Sequence, residues 1–261
     1  MSLVRRTFAK GVMTITLADT ERRNALSADL TNELADAIDE AEDRADVRVI
    51  VVTNEGTTFC AGANLSDRSA KGSPRAPVDP MALFGRFRHS PKPYVGRING
   101  HCVAGGMGLA AAMDISVAVD TAKFGFTEVR IGVAPAMISV LCLPKIRPVD
   151  ARAAFLRGNR FSAHEAARIG LITDVASEDD LDHKIDEILA DLLAGAPGAI
   201  AASKTLLARV PTMSEVDAFA WTAEVSAGLF RSDEAREGIS AFLEKRPASW
   251  VPLAEPGDVS G

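Results

Sequence analysis

Cysteine is scarce in this 261-residue chain, and the three residues Cys60, Cys102 and Cys142 form no CxxC pair. An odd number of cysteines without metal-ligand spacing argues against a disulfide framework and a zinc site, and is typical of a reducing compartment. Residues 1–20 contain no apolar signal segment, and no run reaches the roughly 18 apolar residues of a membrane span. We therefore expect a cytoplasmic protein that makes no membrane contact.

Excess positive charge is also missing. The formal net charge is -6, and the 29 lysine and arginine residues are scattered among 35 acids. Binding to a nucleic-acid backbone needs a basic patch, so this balance argues against nucleic acid as a partner. HExxH and Walker motifs and the G-x-S-x-G elbow do not occur, so the sequence does not support a zinc protease, a P-loop protein or an α/β-hydrolase.

Hydrophobic side chains make up 47% of the chain, enough for one large core with a smaller appendage. Two runs rich in β-branched residues, 4–8 and 12–17, meet at Lys10 and Gly11 and predict a hairpin. Ser27 then caps a helix with apolar residues at helical spacing, and the strand 49–52 follows. A second unit, from 94 to 119, contains a strand, glycine turns, a small-residue helix and another strand.

Helical periodicity dominates from Pro148 onward. Ser162 and Glu165 predict a capping box, Gly170 predicts a helix end, and residues 171–175 predict a last short strand. Strands in the first two-thirds and helices in the last third predict an α/β core followed by a helical module. We place the core at residues 1–195 and the helical region, expected to serve oligomerisation, at 196–261.

Residues 106–111 match the dinucleotide-binding pattern G-x-G-x-x-G/A and follow a predicted strand. In a dinucleotide-binding unit the acid that contacts ribose lies about 20 residues further on, because a full helix intervenes. Asp120 ends the next predicted strand only 12 residues after Gly108, which leaves too little chain for that helix. The spacing argues against a nicotinamide cofactor.

Two glycine-bearing segments can hold an anion with their main chain. Small residues in Phe59–Leu65 let a ligand approach the backbone, and the glycines in Ala104–Met107 stand where a helix begins. One N–H group from each segment could meet at a single carbonyl oxygen, beside the positive end of the helix. Taken singly, each segment would more often be a tight turn that is kept small for packing than a binding site.

Four segments, in this order and spacing, resemble the crotonase superfamily, which is the enoyl-CoA hydratase/isomerase family. They are Thr58–Leu65, Ile98–Gly106, Phe124–Gly132 and Glu237–Pro247. The resemblance runs from about Val12 to Arg246 and implies an α/β fold with a repeated ββα core and a helical C-terminal region. It also implies an acyl-CoA thioester as the partner, no metal, and no separate cofactor, since coenzyme A is part of the substrate. Assembly as a homotrimer or a dimer of trimers, through the C-terminal helices, is implied as well.

The resemblance further assigns roles to individual residues. The N–H groups of Ala63 and Gly105 match the oxyanion hole for the thioester carbonyl, and Glu128 matches the catalytic glutamate that the family retains. The implied contacts with coenzyme A are made by Arg23, Ala25, Ala61, Ala63, Asn64, Leu65, Ser66, Gly105 and Gly106. A helix near Phe242 and Lys245, of the same or an adjacent subunit, is also implied to contact coenzyme A.

One position departs from the family's pair of glutamates. The first glutamate falls on Gly108, twenty residues before Glu128, and glycine has no group that can act as an acid or base. We expect Gly108 to leave open space where that carboxylate would lie. Asp67, Asp114 and His101 are candidates for replacing the lost group, although a solvated or structural role is the simpler expectation for each.

The missing carboxylate leaves the reaction open. Adding water to a 2-enoyl-CoA divides its proton transfers between two groups, whereas a 3,2-enoyl-CoA isomerase needs one base to move a proton from C2 to C4. We place hydration and dehydration of a 2-enoyl-CoA first, because it is the family's commonest activity. The isomerase, with Glu128 as its single carboxylate, comes second. A non-catalytic acyl-CoA-binding protein is the alternative from another functional class.

Overall fold

The larger of two β-sheets begins with the predicted hairpin. In the computed structural model, which describes residues 2–64, 76 and 78–252, strands β1 (Val4–Ala9) and β2 (Val12–Leu17) pair antiparallel. Lys10 and Gly11 both have positive φ at the turn, as a tight hairpin requires. The sheet continues in parallel through β3 (Val49–Asn54), β5 (Tyr94–Ile98), β7 (Ile115–Val119) and β10 (Asp174–Ala176), in the order β1-β2-β3-β5-β7-β10.

A smaller sheet has the order β4-β6-β8-β9. Its strands are β4 (Thr58–Cys60), β6 (His101–Val103), β8 (Lys123–Gly125) and β9 (Phe161–Ser162). The first three are parallel to one another and β9 runs antiparallel to β8. The chain segments that follow β4, β6 and β8, and the segment that precedes β9, therefore lie at one edge of this sheet.

Within the described ranges, the first eight strands form four consecutive pairs that are each followed by a helix, so a ββα unit repeats four times. The four helices are α1 (Ala28–Asp43), α2 (Pro80–His89), α3 (Gly105–Ala112) and α4 (Ala136–Cys142). Ser27 caps α1 as predicted, since its side chain accepts a hydrogen bond from the N–H of Leu30 at 3.2 Å. The predicted α/β fold with a repeated ββα core is confirmed.

The apolar stretch after Glu128 differs from a continuous helix. A 3₁₀ helix spans Glu128–Ile131, and α4 starts directly after Pro135. This break follows from proline chemistry, because Pro135 lacks the N–H that an uninterrupted helix would need. Helix α2 was not predicted from the sequence; it begins at Pro80 and buries Leu83, Phe84 and Phe87.

Two details near α6 (Ala163–Arg168) correct the sequence interpretation. Ser162 accepts a hydrogen bond from the N–H of Glu165 at 3.1 Å, but the carboxylate of Glu165 pairs with Arg168 at 2.6 Å, so only half of the capping box forms. Gly170 closes the helix with φ +89°, as predicted. The strand predicted at 171–175 starts only at Asp174, because the N–H of Leu171 donates to the carbonyl of Ala166 in that closure.

The last part of the described chain is helical. The helices are α5 (Pro148–Arg157), α7 (Leu181–Ala194), α8 (Pro197–Arg209), α9 (Glu215–Phe230) and α10 (Asp233–Glu244), with a 3₁₀ turn at Val210–Thr212. Large apolar side chains on α9 and α10 are exposed, including Phe219 and Phe242. None of the helices in the described ranges is both long and apolar enough to cross a membrane. The division of the chain at residue 195 stays a prediction.

Candidate active site

A cavity of about 780 Å³ opens at the edge of the smaller sheet where the four chain segments meet. Segments after β4, β6 and β8 and the segment before β9 line it, and the approach to α4 forms its remaining wall. The lining residues are Ala61, Ala63, Ala104, Gly105, Thr127, Glu128, Arg130, Ile131, residues 133–138 and residues 158–160. Sequence-distant residues that we assigned to one site thus share one cavity.

Ala63 and Gly105 bring two backbone N–H groups into this cavity. A Cβ added at Gly105 would lie 3.4 Å from the nitrogen of Ala63, so the two segments touch. Leu26 and Ala63 form a β-bridge, in which the N–H groups of Leu26 and Asn64 donate the hydrogen bonds that join the two segments. The N–H of Ala63 consequently faces away from this bridge. Within the described residues, neither Ala63 nor Gly105 donates a backbone hydrogen bond, so both N–H groups are available to one acceptor.

The close approach of these segments depends on glycine. Gly62 has φ +90°, and a Cβ there would lie 2.7 Å from the Cβ of Ala104 and 2.8 Å from the nitrogen of Gly105. A Cβ at Gly106 would lie 2.5 Å from the carbonyl oxygen of Cys60. Packing alone therefore explains Gly62 and Gly106, whereas the nearest atom to a Cβ at Gly105 is 3.2 Å away.

Backbone strain sits directly beside the Gly105 N–H. Ala104, the residue before α3, has φ +50° and ψ −124°, a conformation that costs a side-chain-bearing residue roughly 1–3 kcal/mol. The strained peptide precedes the first turn of α3, whose N-terminus carries partial positive charge. The backbone conformation of Ala104 sets the direction of the Gly105 N–H group.

Glu128 supplies a carboxyl group to the same cavity. It opens the 3₁₀ helix that follows β8, and its side chain is half-buried. Its Oε2 atom is shielded from solvent and has no hydrogen-bond partner among the described residues. Burial raises the pKa of Glu128, against a smaller lowering by a hydrogen bond from backbone. A carboxyl group with a raised pKa is suited both to accept and to return a proton.

The open space expected beside Gly108 does not exist. A Cβ at Gly108 would lie 2.4 Å from Cγ2 and 3.0 Å from Cβ of Ile138, and 3.5 Å from the ring of Phe84. Ile138 is buried on α4 and reaches across to α3. The expectation was wrong because a branched side chain on one helix fills the position that glycine leaves on its neighbour.

Two of the three candidates for replacing the lost carboxylate, Asp114 and His101, do not line the cavity. Asp114 accepts hydrogen bonds from the N–H of Tyr94 at 2.7 Å and from Lys204 at 2.6 Å, which makes it structural. Nδ1 of His101 accepts from the N–H of Lys123 at 3.2 Å, at the opposite end of β6 from the cavity. Asp67 lies outside the described residues. Glu128 is the one carboxylate in the described lining.

The residues assigned to coenzyme A divide into four groups. The first group lines the cavity and consists of Ala61, Ala63 and Gly105. The second group lies beside the cavity and consists of Arg23, Ala25 and Asn64. The carbonyl of Arg23 connects the two groups, since it accepts a hydrogen bond from the N–H of Ala61 at 3.1 Å. Gly106 is buried behind the cavity against Cys60, so its assigned contact is not supported. Leu65 and Ser66 lie outside the described residues. Phe242 and Lys245 do not line this cavity in the described chain.

A model of the enoyl-CoA hydratase/isomerase family matches residues 7–252 of the chain. The chain belongs to this family. The resemblance drawn from the four sequence segments is thereby confirmed. No group of three or more histidine, cysteine, aspartate or glutamate side chains in the described part of this family member is arranged to hold a metal ion.

Individual relatives cover nearly the whole chain. A Thermus thermophilus protein provisionally named an enoyl-CoA hydratase is 35% identical over 242 residues, which cover 90% of this chain and 96% of the relative. Carnitinyl-CoA dehydratase of Escherichia coli K12 is 31% identical, covering 92% of this chain and 94% of the relative. Among solved structures, Pseudomonas aeruginosa AtuE superposes with a TM-score of 0.88 at 30% identity, covering 95% of this chain and 99% of that one.

Sequence reasoning missed two arginines in the site of this hydratase/isomerase family member. Arg130 and Arg160 both line the cavity, yet neither was selected. Arg130 stands two residues after Glu128, so proximity in sequence could have indicated it. Arg160 enters the site only because the two-residue strand β9 pairs antiparallel with β8, a contact that no local pattern predicts.

Proposed function

We propose that this chain hydrates a 2-enoyl-CoA and catalyses the reverse dehydration. The observation that carries the proposal is the meeting, in one cavity, of the available N–H groups of Ala63 and Gly105 with the unpartnered Oε2 of Glu128. Two relatives support a hydration or dehydration reaction, since one is named as an enoyl-CoA hydratase and the other as carnitinyl-CoA dehydratase. The substrate's coenzyme A is the only cofactor group that the proposal requires.

The two N–H groups form the proposed oxyanion hole. Addition to C3 of the conjugated thioester, or removal of a proton from C2, places negative charge on the thioester oxygen. Donors that are fixed where this charge develops stabilise the enolate without reorganisation, and loss of one such donor typically costs about 10²–10³ in rate. The strain at Ala104 holds one of these donors in place before substrate arrives.

Glu128 is the proposed proton carrier for both steps. Its carboxylate accepts a proton from water as the water oxygen bonds to C3, and the resulting carboxyl group returns that proton to C2 of the enolate. C2 and C3 are bonded neighbours, so one carboxyl group can serve both atoms. The raised pKa of Glu128 suits this cycle, since a carboxyl with a higher pKa accepts a proton from water more readily.

The 3,2-isomerase is a second candidate, and Ile138 is the observation that favours it. An apolar side chain fills the place where a second carboxylate would activate water. Glu128 alone could remove a proton from C2 of a 3-enoyl-CoA and return it at C4, with no water in the reaction. The enolate and the oxyanion hole are common to both reactions.

Incubation with 2-butenoyl-CoA and 3-hexenoyl-CoA separates the candidates. Hydration adds the mass of one water to 2-butenoyl-CoA, whereas isomerisation leaves the mass of 3-hexenoyl-CoA unchanged and creates the conjugated thioester absorbance. We expect the first product to form faster. Fast isomerisation without hydration would favour the second candidate, and saturable binding without turnover would indicate a non-catalytic acyl-CoA-binding protein.

We also propose assembly as a homotrimer or a dimer of trimers through residues 196–261. Exposed phenylalanine side chains support this proposal: Phe219 is 69%, Phe230 72% and Phe242 82% exposed in the single chain. Phe219 and Phe230 also line one surface cavity of about 830 Å³, and large exposed apolar surface is uncommon in monomers. Sedimentation equilibrium should give three or six times the chain mass of 27.6 kDa. A mass of one chain at micromolar concentration would contradict the proposal.

A further inference from the structure

The segments that line the cavity stand in a fixed order along one sheet edge. The turn with Arg23 borders Ala63 through the Leu26 pairing, and the segments after β4, β6 and β8 follow in that order. The segment before β9 comes last. The proposed oxyanion hole lies between the segments after β4 and β6, and Glu128 follows β8. The segment before β9 therefore lies on the opposite side of Glu128 from Arg23.

Two guanidinium groups occupy that far side. Arg160 lines the cavity immediately before β9, and its side chain has no hydrogen bond or ion pair within the described ranges. Arg130 donates from Nε to the carbonyl oxygen of Gly158 at 2.6 Å, which leaves its two terminal nitrogens for another acceptor. Both side chains are exposed at the cavity mouth. The described lining holds two arginines and one acid, Glu128, so this end carries positive charge.

We propose that Arg160, with Arg130 beside it, binds a carboxylate at the distal end of the acyl chain. The inference rests on the proposed acyl-CoA function and names its substrate class: thioesters of short dicarboxylic acids. A guanidinium presents paired donors that match the two oxygens of a carboxylate. A purely hydrocarbon chain would offer neither guanidinium group an acceptor at this end of the cavity.

The spacing of the strands sets the length of the acyl chain. Neighbouring strands lie about 4.8 Å apart, so the segment before β9 is roughly 12 Å from a hole between β4 and β6. The arginine side chain covers about half of this distance, and an acyl chain of roughly five carbons with bonds near 1.5 Å covers the remainder. The phosphates of coenzyme A are the other anions available, but the assigned coenzyme A contacts at Arg23 and Ala25 lie at the opposite end of the edge.

Binding of two saturated thioesters of similar length, in which one terminal carboxylate oxygen of glutaryl stands in place of the methyl carbon of hexanoyl, tests the inference without turnover. Isothermal titration calorimetry would compare glutaryl-CoA, which ends in a carboxylate, with hexanoyl-CoA, which ends in a methyl group. We expect the wild type to bind glutaryl-CoA about tenfold more tightly, with the preference falling as salt is added, since the pair is solvent-accessible. Arg160→Gln should remove most of the preference, while Arg152→Gln, an exposed arginine on α5 outside the cavity, should retain it.

Three outcomes would overturn the inference. The first is equal wild-type affinity for the two thioesters, and the second is no measurable binding of either. The third is an equal loss of both affinities in Arg160→Gln, which would place this guanidinium on the coenzyme A phosphates. Turnover of 2-butenoyl-CoA is a separate measurement: its absence beside a retained glutaryl-CoA preference would refute the proposed reaction and leave the carboxylate site standing.

Discussion

The contact between Gly108 and Ile138 can be tested by adding one methyl group. In Gly108→Ala the new Cβ would lie 2.4 Å from Cγ2 of Ile138, whereas ordinary van der Waals contact begins at 3.4 Å. Alanine is favoured over glycine in a helix by roughly 1 kcal/mol, but overpacking a core costs about 1–3 kcal/mol. Because the overlap is severe and both partners are buried, we expect the free energy of unfolding to fall by about 1–2 kcal/mol.

A matched variant on another helix isolates the contact. Gly228 lies in α9, and a Cβ there would meet nothing within 4 Å. Gly228→Ala should therefore raise the free energy of unfolding by up to about 1 kcal/mol through helix propensity alone. Urea denaturation of both variants, followed by circular dichroism, measures the two changes in the free energy of unfolding, which should have opposite signs. Stabilisation by Gly108→Ala to the same degree as Gly228→Ala would refute the tight contact and restore the open space that the sequence suggested.

A change at Ile138 completes the test. Ile138→Leu keeps the side-chain volume but moves the branch away from Cβ, so it removes the Cγ2 atom that a new Cβ at position 108 would meet. Conservative core changes of this kind usually cost less than about 1.5 kcal/mol. Residues in contact show coupling, so the double variant Gly108→Ala with Ile138→Leu should be more stable than the two single effects predict, by about 1 kcal/mol. Strict additivity would mean that the two positions do not interact.

Further predictions concern the reaction itself. Glu128→Gln should keep affinity for hexanoyl-CoA and lose at least about 10² in turnover; a fully active variant would remove Glu128 from the mechanism. Burial raises the pKa of Glu128, so the native state holds this proton more tightly than the unfolded chain does. Protonated Glu128 therefore contributes to stability at acid pH, and this contribution is lost as the pH rises through the raised pKa. Glu128→Gln should therefore match the wild type in acid and be more stable at neutral pH; urea titrations across pH would show the reverse if the carboxylate were stabilising. Gly105→Val should reduce turnover by about 10² or more while the melting temperature falls little; parallel loss of both would indicate a packing role. Gly108→Glu with Ile138→Ala should hydrate 2-butenoyl-CoA faster than Ile138→Ala alone if water activation is limiting, and no gain would show that Glu128 handles the water unaided.

Features that depend on short-range chemistry were predictable from the sequence. The turn at Lys10 and Gly11, the cap at Ser27 and the helix end at Gly170 each depend on residues within one turn of the chain. The two anion-holding segments were found for the same reason, since small residues at a helix start have a local signature. The distant motifs were joined into one site by the family resemblance, which the match to residues 7–252 confirms.

Features that depend on long-range packing were not predictable. The side chain that fills the space beside Gly108 comes from α4, thirty residues further on, and no periodicity relates the two positions. Phe84 reaches the same point from α2, whose existence the preceding polar stretch obscured. Arg160 joins the cavity through a strand of two residues, too short to leave a pattern. In each case the sequence shows the residue but not the neighbour that gives it a role.

The apolar contact between Gly108 and Ile138 has an electrostatic consequence for the whole cavity. With Ile138 against Gly108, Glu128 is the single negative group in the described lining, and Arg130 and Arg160 stand beyond it. A second glutamate would repel both the enolate oxygen and any carboxylate on the acyl chain, because like charges in a poorly solvated site disfavour each other. We propose that the absence of that charge favours a reacting thioester with two negative charges, one held by the N–H groups of Ala63 and Gly105 and the other by the guanidinium groups. Introducing a glutamate with Gly108→Glu and Ile138→Ala should therefore weaken glutaryl-CoA binding more than hexanoyl-CoA binding.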